Sequence, residues 1–403
     1  MKVSILVSDL SKRGAGRWGG AVRTFLLAQS LQQAGFDVEV LGFVFDDTLP
    51  DFSHVPFPVK MEFGGIYPDF FKTAGRLNRQ IAGDLLYPLR PKPTTLGLAF
   101  LDRLRTGRPI ILDVDDWELG WMGGDEFTDR PSLKQRLRDL IKPDGALRQP
   151  DGPVYIKRME KLVDRADAVT VHTRFLQDRF GGIYLPNGKD TTRFDPQLYD
   201  PERSRAKYGL ADYRVLMFPG APRPYKGVED ILNALDLLDW SDLRLAIVGG
   251  SPYDDYDRQL HDRWGRWIVQ IPPQPSAKMP EIVAAAHVVV VPQRETPVAK
   301  AQFPLKLTDG MAMEKPILAT SIGDVPEILQ DTGFVVPPQD PEQLAQGIRQ
   351  IFSDWESAVE KGRSARERCV KYYSIDWMAQ RLKQLIDEEI RPLRRSPKGS
   401  ART

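Results

Sequence analysis

The sequence predicts an α/β fold of two Rossmann-like domains facing each other across a cleft. Three observations predict it. The 403 residues exceed one ordinary domain and suit two of roughly 180 residues each. Short β-rich runs alternate with amphipathic helical stretches, the pattern of a parallel sheet covered on both faces. The layout then repeats, each half opening with a strand, a loop rich in glycine or proline, and a helix.

In order, the first strand spans 2–8 and leads through glycines into a helix from Gly20 to Ala34, with Leu27, Leu31 and Ala34 on one face and Gly35 as its stop. A strand follows over Phe36–Phe45. The pattern weakens between Asp46 and Pro109. Strand Pro109–Val114 ends in the acids Asp113, Asp115 and Asp116, a helix covers Val154–Asp164, and strand Ala168–His172 precedes a turn at Tyr184–Gly188. The second half reads as strand Tyr213–Phe218, helix 227–238 with Val228, Ile231, Leu232 and Leu235 on one side, and strand Leu243–Val248 ending at Gly249-Gly250. Strands His287–Val291, Pro316–Thr320 and Gly333–Val336 come next, then helical stretches over 341–371 and 375–390. The basic tail 391–403, rich in Pro, Gly and Ser, reads as disordered.

Composition narrows the function. Hydrophobic residues at 41% and charged residues at 28% are ordinary for a globular protein, and a net charge of +1 gives no basic field for nucleic acid. One cysteine, Cys369, excludes an intramolecular disulfide framework and fits a reducing cytosol. The opening residues read as a strand rather than a signal peptide, and no apolar run reaches membrane-spanning length. The expectation is a cytoplasmic protein whose membrane contact, if any, is peripheral.

Four constellations could carry chemistry. Gly14-Ala-Gly-Arg-Trp-Gly19 spells GxGxxG, the dinucleotide fingerprint, but Ser8 to Arg13 separate it from the strand end and the expected acid is late, at Asp46. Gly19 and Gly20 at a helix N-terminus, where free amides approach an anion, are the better reading; a flexible loop is the bland one. Arg223 and Lys226 stand on a proline-stiffened loop before a helix, suited to a diphosphate or simply an exposed basic turn. Glu295 follows an apolar strand, where ligands meet an open α/β sheet, and Lys306 and Asp309 share a helix face as site residues or as a solvated ion pair. Asp115 and Asp116 could line the cleft, bind a hard cation, or be structural. His172 is a base or, more often for such a position, structural. The other histidines, His54, His261 and His287, form no metal-binding pattern.

Glu295 through Thr320, ending in Met311-Ala-Met-Glu-Lys-Pro-Ile-Leu-Ala-Thr, resembles the donor-site motif of GT-B glycosyltransferases, particularly family 4. So does Gly220-Ala-Pro-Arg-Pro-Tyr-Lys-Gly227. Gly19-Gly20, Val248-Gly-Gly250, Leu185-Pro-Asn-Gly188, Gly323-Asp-Val-Pro-Glu327 and Gly333-Phe-Val-Val-Pro-Pro338 match in family order across most of the chain. The resemblance implies that Arg223 and Lys226 grip the donor diphosphate, Glu295 meets hydroxyls of the transferred sugar, and Asp309 accepts from the ribose. Gly19, Gly20, Gly249 and Lys306 complete the donor site, and Asp116 lies beside the reacting sugar. The family commonly has two glutamates with seven residues between them; here Phe303 stands eight positions after Glu295, and the second acid is the shorter Asp309.

The resemblance further implies an acceptor-binding domain over 1–187, a sugar-nucleotide domain over 188–372 and a helix over 373–392 crossing back to the first. It implies retaining hexosyl transfer from a UDP-, GDP- or ADP-sugar to a hydroxyl acceptor (a glycan, a lipid-linked sugar or a small molecule), with no cofactor and no obligatory metal. A non-catalytic sugar-nucleotide-binding protein on the same fold and an NAD-dependent oxidoreductase are the alternatives. Phe70, Phe71, Lys72, Arg76, Arg79, Tyr87, Arg90 and Lys92 mix cations with aromatics, which fits contact with an anionic membrane or, equally, a solvated basic face.

Overall fold

The computed structural model describes residues 1–11, 20–45, 52, 55–128, 132–251 and 254–395. They form two compact units, Met1–Pro186 together with Met378 onward, and Asn187–Trp377.

The first unit begins with β1 (Lys2–Val7), α1 (Gly20–Gln33), β2 (Asp37–Val44), β3 (Val59–Phe63), α2 (Phe70–Arg79), β4 (Leu85–Pro88) and α3 (Leu98–Thr106). It continues through β5 (Ile111–Val114), α4 (Leu133–Ile141), α5 (Pro153–Glu160), β6 (Ala168–Val171), α6 (Arg174–Phe180) and β7 (Ile183–Tyr184). Strands run β3-β2-β1-β4 in one sheet and β5-β6-β7 in another, all parallel, with bridges Leu86–Ile110 and Leu89–Asp113 joining them. Val3, Ile5, Leu6 and Val7 of β1 are all buried, as expected of a parallel strand covered on both sides. Gly35, at φ +85°, supplies the left-handed residue that ends α1.

The second unit comprises α7 (Pro201–Lys207), β8 (Arg214–Pro219), α8 (Val228–Leu238), β9 (Leu243–Val248), α9 (Tyr256–Trp264), β10 (Ile268–Ile271), α10 (Met279–Ala284) and β11 (Val288–Val291). After these come α11 (Pro297–Ala301), α12 (Leu305–Ala312), β12 (Ile317–Thr320), α13 (Val325–Leu329), β13 (Phe334–Val336), α14 (Pro341–Ser353) and α15 (Trp355–Tyr372). Its six-stranded parallel sheet has the order β10-β9-β8-β11-β12-β13. The predicted face of α8 is the buried one: Val228, Ile231, Leu232 and Leu235 enter a core with Leu216, Leu245 and Val290. Helix α16 (Ile375–Leu385) carries the chain from the second unit into the residues that group with the first, and helical turns continue over Ile386–Ile390 and Arg391–Arg395.

Two expectations are corrected here. The single helical stretch over 341–371 is two helices, because Asp354 stops α14 and its carboxylate caps α15 by accepting from the Ser357 amide at 3.2 Å. The weakly patterned 46–109 region holds β3, α2, β4 and α3. Among the described residues no helix is long and apolar enough to cross a membrane.

Candidate donor site and polar network

In the second unit, β9 and β10 lie on one side of β8, and β11, β12 and β13 on the other. The strand order therefore reverses between β8 and β11, the place where the loops leaving the C-terminal ends of an open α/β sheet meet ligands. Those loops, 220–227 and 292–304, carry Arg223, Lys226 and Glu295. They approach each other closely: Gly227 has φ +69°, and a Cβ there would sit 1.8 Å from the Pro292 carbonyl oxygen. The Arg294 amide donates to the Tyr225 carbonyl at 2.9 Å. The Arg294 guanidinium also grips both Asp230 oxygens, at 2.8 and 2.7 Å, and Glu229 at 2.8 Å, so the β11 loop is bolted to the first turn of α8.

Cations gather at this point. Lys226 is half-buried and donates to the Ala221 carbonyl at 2.8 Å; burial, reinforced by the charges of Lys306 and Arg223, pulls its pKa down to about 7. Lys306, on α12, is buried with its ammonium 4.8 Å from the Phe218 ring centroid, and burial lowers its pKa to about 8, partly offset by Asp309. Arg223 is held from the β9 loop by Ser251 at 2.8 Å and Asp254 at 3.0 Å. Gly249, at φ +119°, brings that loop against Ala221, whose amide nitrogen would lie 3.3 Å from an added Cβ. Cations gathered and fixed in this way suit a bound anion.

The acids differ. Glu295 is exposed, and its pKa is lowered by the hydrogen bond and charge of Lys300 at 2.8 Å. Asp309 is buried, and its ion-pair partner is Lys189 rather than Lys306, which corrects the reading of a solvated Lys306–Asp309 pair. Lys189 is fixed in turn by its amide, which donates to the Tyr373 carbonyl at 2.6 Å, and its ammonium lies 4.4 Å from the Phe194 ring centroid. Sequence reasoning passed over Lys189 and Arg294. Nothing local marks Lys189, whose partner is remote in sequence, whereas Arg294 adjoins Glu295 and could have been noticed.

In the first unit the acids at the end of β5 are engaged. Asp113 takes a bidentate grip from the buried Arg23 of α1, at 3.0 and 2.7 Å, and accepts from Thr170 at 2.7 Å. Asp115 is held by Arg90 at 2.6 and 3.2 Å; the guanidinium outweighs the upward effect of burial and keeps the carboxyl below its ordinary range. Two guanidiniums thus occupy the carboxylates that a hard cation would need, and among the described residues no three His, Cys, Asp or Glu side chains converge as metal ligands. Asp116 differs: burial, with the nearby Glu118 and Asp115, raises it to about 6 against the pull of Arg90. Its carboxylate accepts from the Trp117 amide at 2.9 Å and the Trp121 indole at 3.1 Å. His172 lies buried and acts electrostatically on Asp115. Gly20 is the first residue of α1, while Gly14 to Gly19, Asp46 and His54 lie outside the described residues.

The aromatic and basic stretch 70–92 does not form one face. Phe70 and Tyr87 are core residues, Arg90 and Lys92 both pair with Glu118, and Arg76 pairs with Glu62 at 3.0 Å. Phe71 remains exposed.

Residues 213–354 match the family model of glycosyl transferases group 1. A GDP-mannose-dependent alpha-(1-6)-phosphatidylinositol monomannoside mannosyltransferase of Mycolicibacterium smegmatis is 27% identical over 250 residues, covering 58% of this chain and 65% of that protein's length. A D-inositol 3-phosphate glycosyltransferase of Nocardia farcinica is 26% identical over 383 residues, 87% of this chain and 81% of the relative. Anabaena HepE in complex with UDP-glucose superimposes with a TM-score of 0.72 at 16% identity, over 96% of this chain and 99% of that one. Sucrose-phosphate synthase of Thermosynechococcus elongatus gives 0.72 at 18%, over 96% and 98%. Residues 213–354 thus match the glycosyl transferases of group 1, and the chain shares its fold with solved glycosyltransferases such as HepE.

Proposed function

We propose that the protein transfers a hexosyl group from a nucleoside-diphosphate sugar to a hydroxyl acceptor with retention of configuration. The observation that carries this reading is the set of Arg223, Lys226 and Lys306 where the strand order of the second sheet reverses. The mannosyltransferase relative is named for a GDP-mannose donor and the aligned HepE structure holds UDP-glucose, which supports a nucleotide sugar as the donor. The donor lies in the second unit and the acceptor is bound by the first.

In this reading the bond from the anomeric carbon to the diphosphate oxygen breaks as the acceptor oxygen attacks from the same face. The acceptor's proton passes to the departing phosphate. Negative charge grows on that phosphate, and the preorganised cations stabilise it, which removes the need for a metal. Glu295 meets hydroxyls of the transferred sugar, with Lys300 holding it ionised. Gly249 allows the β9 loop to approach the diphosphate. Asp309 accepts from the ribose once Lys189 shares it, and Asp116, its pKa raised to about 6, serves the acceptor-binding unit.

The test is transfer rate and nucleoside-diphosphate affinity for Arg223→Ala and Lys226→Ala, with and without chelator. Each substitution is expected to slow transfer on the order of a hundred- to a thousandfold. Chelator leaves the wild type active. Unchanged rates in both variants would remove this site from the reaction, and nucleotide-sugar binding with no turnover on any acceptor would favour the non-catalytic alternative.

A further inference from the structure

Helix α4 buries none of its residues, whereas α2, α3, α5 and α6 of the first unit each bury at least one. It is nevertheless rich in aliphatic side chains: Leu133, Leu137, Leu140 and Ile141 are 77, 52, 60 and 67% exposed. At 3.6 residues per turn these four fall within an arc of roughly 100°. Lys134 and Arg136 flank that arc on either side, and Arg138 and Lys142 lie behind it. Arg138 is neutralised locally by Asp139 at 2.9 Å and Asp144 at 2.6 Å. A globular protein leaves such a stripe in water only at a cost, since contiguous exposed apolar surface marks an interaction site.

The helix is anchored rather than loose. Ser132 caps it by accepting from the Gln135 amide at 3.2 Å. Arg148 donates to the Ile141 carbonyl at 3.1 Å and to the Tyr67 carbonyl at 2.8 Å, while the Tyr67 amide returns a bond to the Arg148 carbonyl at 2.8 Å. Tyr67 is also a wall of an apolar cavity of about 260 Å³, shared with Phe71, Leu101 and Tyr155 and bordered by Arg158. Exposed apolar side chains therefore continue past α4 to Phe71 and Leu101, which are 64 and 55% exposed.

We propose that α4 is a docking face for a bilayer surface carrying anionic headgroups. An apolar arc with a basic residue on each shoulder lets the leucines enter the acyl boundary while Lys134 and Arg136 extend to headgroup phosphates. A protein partner would need shape complementarity from a convex, single-turn-pair helix; a fluid lipid boundary needs only the stripe and the charge. The assignment does not depend on the transfer reaction.

The experiment is co-sedimentation of the full chain with phosphatidylcholine vesicles, with and without phosphatidylglycerol, at low and high salt. The wild type is expected to pellet with the anionic vesicles, less so at high salt. Leu137→Ser with Leu140→Ser should lower the partition coefficient by about tenfold or more, and Lys134→Gln with Arg136→Gln should remove most of the salt dependence. Leu198→Ser, an equally exposed leucine in the second unit, should change nothing. All the altered side chains are solvent-exposed, so circular dichroism and nucleoside-diphosphate affinity should match the wild type. No pelleting, equal pelleting with neutral vesicles, or full binding by the serine variant would overturn the proposal. So would a dimer that the serine variant abolishes without any vesicle binding, which would assign the face to a second copy.

Discussion

Lys226 titrates where its neighbours put it. With its pKa near 7, it is charged in both folded and unfolded chains below that pH, and the folded state then carries the full cost of burial and repulsion. Between about 7 and the ordinary lysine value the unfolded chain binds more protons, so stability rises with pH through that window and levels off above it. Anion binding runs the other way. A diphosphate favours the ammonium, so above pH 7 the protein takes up a proton on binding, and affinity should fall by up to about tenfold per pH unit. Calorimetric titration with UDP or GDP in buffers of different ionisation enthalpy measures that uptake; Lys226→Met should remove this share of it and leave a smaller one near pH 8 from Lys306. Arg223, Lys226 and Lys306 were legible in the sequence because proline, glycine and a strand end frame them. Lys189 was not, since its role comes from Asp309, which only folding brings to it.

At the level of elements, Gly227 joins two loops that no side chain could separate without cost. Gly227→Ala places a methyl into the Pro292 carbonyl and forces a left-handed alanine, so the β8 and β11 loops must part. Stability should drop by about 1–3 kcal/mol, with nucleoside-diphosphate affinity falling as well. Gly209→Ala, at the same φ of +69° but with nothing within 4 Å of the new methyl, should show a smaller loss and unchanged affinity. Urea denaturation followed by circular dichroism, paired with calorimetric binding, separates the two. Elements that were visible in the sequence share a trait: β8, β9 and α8 are long, and their apolar residues keep one period. Those that escaped are short or mixed. The β3 sequence VKMEF is only half-buried and alternates with charges, β10 is IVQI directly behind a helix, and β4 ends on a proline. Each is a strand because a neighbouring strand offers it a parallel partner, a fact of tertiary structure rather than of local sequence.

Across the whole molecule, the first unit is discontinuous in the chain. Met378, Leu382, Ile386 and Ile390 are fully buried, and Arg391 lies over the Phe36 ring with its guanidinium carbon 6.0 Å from the centroid. A chain stopped after Trp377 should therefore keep nucleoside-diphosphate affinity in the second unit while the first becomes prone to proteolysis. Limited trypsin digestion with peptide mapping, beside calorimetric binding, would show whether the damage is confined that way. The same discontinuity sets an order of birth. Residues from Met378 onward leave the ribosome after all of the second unit, so the first sheet is made early yet lacks its last helix for roughly 10–40 s at ordinary translation rates. A nascent chain in that interval carries β1 to β7 without the buried side chains of Met378, Leu382, Ile386 and Ile390, so the first unit completes its core only after the second has been made.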